Sequence, residues 1–182
     1  MITCYVKNIN SLNQKTYNNF IKYFPFHELS CSCGNFNCLT RHAYYTRYIK
    51  TVNGNTPISI LRVKCNVCNA THAILISNIV PYSQILLDDH VRIIYAYENK
   101  SSFIDILNVA YIDESNIKYI IRQYISHFKQ KILEHNLLFD HSLVLNCFKY
   151  FKCNFMQIKT AFKNLFIHPH NLPYLLNYSG VD

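Results

Sequence analysis

Two groups of cysteines in the first half of the chain have the spacing of metal ligands. Cys31, Cys33 and Cys38 form the first group, and Cys65 and Cys68 form a C-x2-C pair further along. Such a turn directs two thiolates at one ion, and a second turn across a hairpin completes a tetrahedron. Four thiolates suit zinc (Zn2+) and leave no open position for a reacting water, so the predicted site is structural.

The first group offers three cysteines where two are needed. The Cys33-Gly34 step is typical of a zinc knuckle and favours Cys33. Because Cys31 and Cys33 are closer together than in an ordinary knuckle, we predict Cys38 as the fourth ligand, with Cys31 as the competing one. His72 is a further candidate. The alternative is a set of buried free cysteines or a redox pair, which two tight clusters around a hairpin argue against.

The segment between the two cysteine groups predicts the hairpin that would bring them together. Residues 42–52 and 57–65 have the alternation of strands, and Asn53-Gly54 supplies positive-φ residues for the turn. Residues 72–80 predict a further strand.

From residue 84 onwards the apolar period changes to that of helices. Residues 83–100, the segment 101–136 and the region 143–166 predict helices. Residues 1–28 predict a lead-in with a short strand and a short helix. The expected fold class is α+β, with a small antiparallel zinc-ribbon sheet (29–83) followed by an all-α region (84–182). Expected core contacts of the first long helix are Ile85, Leu86, Val91, Ile94 and Tyr95.

Residues 102–128 have the pattern of a helix-turn-helix. Phe103 to Asn108 predicts the first helix, residues 109–112 the turn, and Asp113 the cap of the second helix. The second helix would bury Ile117, Ile120, Ile121, Tyr124, Ile125 and Phe128. Its other face would meet phosphates and base edges through Ser115, Asn116, Lys118, Tyr119 and Arg122. The alternative is an amphipathic helical hairpin of an all-α core.

The charge is distributed unevenly. The net charge is +8, from 18 basic and 10 acidic residues, yet no acidic residue lies between Glu28 and Asp88 or from His141 to Val181. One-signed surfaces suit a polyanion. Phosphate contacts on the hairpin are predicted for Arg41, Arg47, Lys50, Arg62 and Lys64. RNA is a variant of this prediction, because Tyr44, Tyr45 and Tyr48 interleave with these cations and could stack bases.

The segment from Cys31 to Gln84 resembles a bacterial zinc-ribbon domain of unknown function, which is similar to the zinc-binding N-terminal region of insertion-sequence transposases. The resemblance extends over residues 31–130 and includes a following helix-turn-helix. It implies DNA recognition linked to a mobile element or to transcription control. The usual C-P-x-C-G is here Cys31-Ser32-Cys33-Gly34. The matching residues are Cys33-Gly34, Arg41-His42, Tyr44-Tyr45, Arg47, Arg62-Val63-Lys64-Cys65, Cys68, Thr71-His72-Ala73 and Pro81-Tyr82.

The short carboxy-terminal segment and the hydropathy of the chain exclude several classes of function. The segment after the helices is too small for the three-carboxylate nuclease domain of a transposase, so an active transposase is not expected. Because four thiolates leave no open position on the metal and no nucleophile-base pair is recognisable, no other enzymatic activity is expected. No apolar run reaches the roughly 18 residues of a membrane span, and no secretory signal is recognisable. We therefore expect a cytoplasmic, non-enzymatic protein that binds double-stranded DNA. The alternative is a zinc-ribbon module or inhibitor that binds a nucleoprotein or polymerase.

Overall fold

The computed structural model describes residues 1–4, 6, 12–25, 28–110, 112–134 and 136. The predicted helical region 143–166 lies outside these residues. The described part is an α+β fold, as predicted, with a four-stranded sheet and several helices. The strands are β1 (Ile2–Cys4), β2 (Leu39–Thr51), β3 (Gly54–Cys65) and β4 (Thr71–Ile76). The helices are α1 (Gln14–Tyr23), α2 (Leu87–Glu98), α3 (Phe103–Ala110), α4 (Glu114–Gln123) and α5 (Lys129–Glu134), with a π-helical turn at Tyr124–Phe128.

The sheet has the strand order β1-β4-β3-β2 and is mixed. β2, β3 and β4 are antiparallel, but β1 pairs in parallel with β4. β2, β3 and β4 thus have the antiparallel pairing predicted for residues 29–83. The amino-terminal strand, which was expected in a separate lead-in, instead joins the sheet beside β4.

The β2–β3 hairpin runs from the Leu39–Cys65 pair to the Thr51–Gly54 pair, with a register shift between Arg41 and Ala43. At the tip, Gly54 has a φ of 102°, a conformation that glycine adopts without steric cost. We expected positive φ at Asn53 as well, but only Gly54 has it. The ladder ends at Cys65, so both cysteine groups lie at the same end of the hairpin.

Helix α1 packs on one face of the sheet through Tyr17, which is fully buried. Its hydroxyl donates to the carbonyl oxygen of Ile74 at 2.8 Å and accepts from the Leu61 amide at 3.0 Å. The helix begins after Asn13, whose side chain accepts from the Thr16 amide at 2.9 Å in a capping box. Residues of α1 and of all four strands consequently share one hydrophobic core.

A second hydrophobic core lies among α2, α3, α4, the π turn and α5. Tyr95 was expected in it but is 53% exposed, since α2 begins at Leu87 and turns Ile93, Ile94 and Ala96 inward. Ile125 was also expected there and is 49% exposed. The wide π turn keeps Tyr124 and Phe128 inside and leaves Ile125 at the surface.

Asp113 occupies the predicted N-cap position of α4, but its side chain does not cap the helix. Its carboxylate instead pairs with Lys50 of β2 and accepts from the side-chain amide of Asn116.

None of the helices in the described part of the chain is long and apolar enough to cross a bilayer.

Candidate metal centre

Four thiols converge at the base of the hairpin. The sulfurs of Cys31, Cys33, Cys65 and Cys68 all lie within 4.8 Å of one another. The Cys31–Cys68 pair is 3.5 Å apart and the Cys33–Cys65 pair 3.8 Å apart. A tetrahedron with Zn–S bonds of about 2.3 Å has sulfurs about 3.8 Å apart. The four sulfurs therefore have the spacing of a tetrahedral metal site.

The turn after β3 positions Cys65 and Cys68. The backbone amides of Val67 and Cys68 point at the Cys65 sulfur, at 3.4 and 3.5 Å. The turn closes with Asn69 in a left-handed conformation, at a φ of 62°. The Cys68 amide, more than that of Val67, lowers the pKa of the Cys65 thiol to about 6. Cys65 is therefore readily present as thiolate, the form that binds metal ions.

The turn before β2 positions Cys31 and Cys33. The Gly34 amide donates to the Cys31 carbonyl oxygen at 2.9 Å, and Gly34 has a φ of 86°. The side-chain amide of Asn35 donates to the Cys33 sulfur at 3.2 Å and holds the pKa of that thiol below its usual range. This tight turn brings two cysteines separated by a single residue to the same site.

Cys38, which we favoured as the fourth ligand, does not belong to the group of four, and Cys31 takes its place. Cys38 immediately precedes β2 and is buried, and its thiol donates to the Asn35 carbonyl oxygen at 3.2 Å. Burial and hydrogen bonding with Cys65 raise its pKa to about 11. A buried, protonated thiol that already donates a hydrogen bond is not in the form that binds a metal ion. Cys38 therefore lies beside the centre without being one of its four ligands.

His72 borders the centre from β4. Its Nε2 lies 3.3 Å from the Cys31 sulfur, and the side chain is buried. It is not one of the four converging groups, and it instead lies within hydrogen-bonding distance of one of them, Cys31. Such contacts orient a metal ligand and tune its basicity.

Hydrogen bonds among neighbouring thiols affect the pKa of Cys68. The Ala70 amide lowers it, but hydrogen bonding to Cys31, Cys65 and Cys33 together with burial outweighs this, and the pKa rises to about 12. Thiols this close do not readily ionise together, because one thiolate disfavours the next. A bound cation would remove this penalty, which makes the centre chemically suited to a metal ion.

The five predicted phosphate ligands of the hairpin have different surroundings. Arg47 donates to the carbonyl oxygens of Val80 and Ser83, and Lys50 pairs with Asp113. The remaining three are Arg41 and Arg62, which are exposed, and Lys64, which is half-buried. The Arg62 guanidinium lies 5.0 Å from the centre of the Tyr45 ring.

On α4, the side chains predicted to contact DNA share one outward face. Four of them are exposed, namely Ser115, Lys118, Tyr119 and Arg122, and Asn116 is half-buried. Lys118 pairs with Glu114 one turn earlier. The predicted first helix ends at Ala110 and not at Asn108, so fewer residues join α3 to α4 than expected.

One surface was missed at the sequence level. A cleft of about 620 Å³ lies between α1 and β2, and it includes Gln14, Asn18 and Lys22 of α1 and Arg41 of β2. The three α1 residues are spaced four apart, so they share one face of a helix. That spacing is the signal in the sequence that could have identified them.

No family model, curated protein or solved structure matches this chain.

Proposed function

We propose that this chain is a non-enzymatic nucleic-acid-binding protein whose sheet is a zinc ribbon folded around one structural Zn2+. The observation that carries the proposal is the convergence of Cys31, Cys33, Cys65 and Cys68 at the base of a basic hairpin. Four thiolates satisfy Zn2+ completely, so the ion would hold the two turns together and would not activate water.

The nucleic-acid part of the proposal rests on charge. Residues 1–79 carry eight lysines and arginines and a single acidic residue, Glu28. Phosphate neutralisation by such surfaces supplies most non-specific affinity for nucleic acids. Arg41, Arg62 and Lys64 retain this role in the proposal. Arg47 and Lys50 instead contact the helical part of the chain and support the hairpin's position.

We further propose that α3 and α4 act as a helix-turn-helix on double-stranded DNA. The outward face of α4 presents hydroxyl, amide and guanidinium groups, and its first residues lie in the part that such motifs place in the major groove. A link to a mobile element or to transcription control follows from the resemblance of residues 31–130 to transposase-like zinc domains.

The metal site is tested by two matched cysteine variants. Cys31→Ser should lose the bound zinc and lower the melting temperature strongly, because it removes one of four ligands. Cys38→Ser should retain one zinc per chain. Metal content by mass spectrometry and thermal unfolding by circular dichroism measure both effects. Loss of zinc from Cys38→Ser with retention in Cys31→Ser would contradict the assignment.

The DNA-binding activity is tested by selection from a random duplex library with the zinc-loaded protein. We expect enrichment of a sequence whose affinity falls when Arg122→Gln is introduced on α4. No retention of any duplex at low salt would refute the proposal.

A second candidate function is a protein-interaction module. A groove of about 500 Å³ lies beside α4, lined largely by apolar groups that include Phe103, Ile106, Ile121 and Ile125. An apolar helix of a partner protein would fit such a groove. This function is favoured if nucleic acid fails to bind while Ile125→Lys abolishes co-purification of a partner.

A further inference from the structure

One face of β2 combines exposed aromatic rings with cations. Tyr44 is 54% exposed and Tyr48 51% exposed. Strand alternation places both on the same face, together with Thr46 between them. Four residues of strand separate the two rings by about 13 Å, so each ring is available to a different base.

The cations of this face lie at the α1 end of the strand. The Arg41 guanidinium donates to the Tyr44 hydroxyl at 3.1 Å and to the Ile21 carbonyl oxygen of α1 at 3.3 Å. It is therefore held beside the tyrosine ring. Lys22, in the last turn of α1, is exposed and lines the same cleft of about 620 Å³.

The remaining polar groups of the cleft are uncharged. Gln14 and Asn18 contribute side-chain amides from α1, and Gln14 is fixed by hydrogen bonds to the Ser59 backbone. No acidic side chain is among the residues that line this cleft in the described part of the chain. The surface thus offers positive charge, amide hydrogen bonds and ring faces without like-charge repulsion of a phosphate.

The outer edge of β2 gives this face room for an extended ligand. β2 is the last strand in the sheet order, and its only partner among the described strands is β3. Residues 40–46 and 48 are exposed or half-buried along the strand. A duplex would present stacked, paired bases to these rings, whereas an unpaired strand can place its bases on them.

We propose that the α1–β2 face binds single-stranded nucleic acid, with Lys22 and Arg41 on the phosphates and Tyr44 and Tyr48 stacking unpaired bases. This site is separate from α4 and from its proposed contacts with duplex DNA. It gives the zinc-bound sheet a site for unpaired bases in addition to the phosphate contacts proposed for the hairpin.

The test uses the zinc-loaded full chain and fluorescence anisotropy with two probes. One is a single-stranded oligothymidylate of about 12 nucleotides, and the other is a duplex of the same length. Tyr44→Ala should weaken single-strand binding about tenfold and leave duplex binding unchanged. Lys22→Gln should weaken single-strand binding and reduce its salt dependence by about 0.7 in the slope of log K against log salt.

Two tyrosines of matched exposure serve as controls. Tyr119 on α4 is 54% exposed and Tyr95 on α2 is 53% exposed. Tyr119→Ala should weaken duplex binding only, and Tyr95→Ala should change neither. Equal melting temperatures of the four variants would show that each effect is local.

The outcomes separate this inference from the proposed function. If single strands bind Tyr44→Ala and Lys22→Gln as tightly as the unaltered chain, the inference is overturned while duplex binding through α4 still stands. If single strands bind through these residues but duplex does not bind, the inference holds and the α4 proposal fails. If neither probe binds at low salt, both are refuted.

Discussion

The sheet core and the helical core of this chain are built on different principles. Residues 1–79 surround a cluster of four thiols and have a strong positive charge, whereas residues 80–136 carry six basic and seven acidic residues. The helical core is held by apolar side chains, chiefly isoleucines, and its charges pair locally, as Lys118 does with Glu114.

This difference implies that the two regions depend on different interactions for folding and for binding. The sheet core combines a metal-dependent fold with long-range attraction for polyanions, which depends on salt. The helical core has no comparable net charge, so any specificity it provides must come from the shape and hydrogen-bonding groups of α4. A protein that binds nucleic acid with both would lose non-specific affinity through changes in the sheet and sequence preference through changes in α4.

The largest expected effect is that of removing the metal. Extraction of zinc by a strong chelator should destabilise the sheet core, since structural zinc sites contribute free energy directly to folding. Hydrogen exchange measured by mass spectrometry should show lost protection in β2 and β3 and retained protection in α2 and α4. If both cores lose protection together, the two regions are one cooperative unit and the comparison fails.

The second effect is a pH dependence that arises from one histidine of the helical core. His90 is buried, and its burial lowers the pKa to about 4. In the unfolded chain the imidazole of His90 has an ordinary pKa of about 6.5 and is protonated below it. The free energy of unfolding is therefore highest above about pH 6.5 and falls towards pH 4, by up to about 3 kcal/mol.

The matched variant is His90→Gln, which retains a side-chain partner for the Ser83 hydroxyl that lies 3.2 Å from His90 Nε2. Urea unfolding between pH 4 and pH 7 should show a flatter profile for the variant. An unchanged profile would mean that His90 is not held neutral in the folded chain.

The third effect is confined to the sheet core and does not involve the metal. Tyr17→Phe removes the hydroxyl between Leu61 and Ile74 and leaves a buried amide and a buried carbonyl without that partner. We expect a loss of about 2 kcal/mol in the free energy of unfolding. Urea unfolding with zinc bound measures it, and Tyr95→Phe, at an exposed position, is the control that should not change.

The smallest effect concerns the contact between the two regions. Asp113→Asn removes the ion pair with Lys50. Because exposed ion pairs contribute little, the melting temperature should stay close to that of the unaltered chain at both low and high salt. A large loss of stability would show that this pair couples the two cores.

Features with local signals could be predicted from the sequence. The alternation of β2 and β3 and the glycine at position 54 indicate a hairpin from neighbouring residues alone. The C-x2-C spacing of Cys65 and Cys68 likewise requires only a local turn. The amphipathic period from residue 84 onwards indicated helices because each buries one face.

Features that depend on distant contacts could not be predicted. The choice of Cys31 over Cys38 depends on how the turn before β2 folds, because Cys31 then lies against the Cys68 sulfur and the Cys38 thiol donates to the Asn35 carbonyl oxygen. The pairing of β1 with β4 involves only three residues and a crossover through α1. The cleft between α1 and β2 arises only when both elements are in place.

The π turn at Tyr124–Phe128 has a consequence for how sequence changes are tolerated in this region. A wide turn of this kind holds one residue more than the α-helix it interrupts. Deletion of one exposed residue there, such as Ser126, would restore a regular helix and keep the residues after it on nearly the same face. Phe128 and Ile132, both buried, would still face the helical core. A single-codon deletion would thus be better tolerated here than in α2, where it would rotate every later residue of the helix by about 100°.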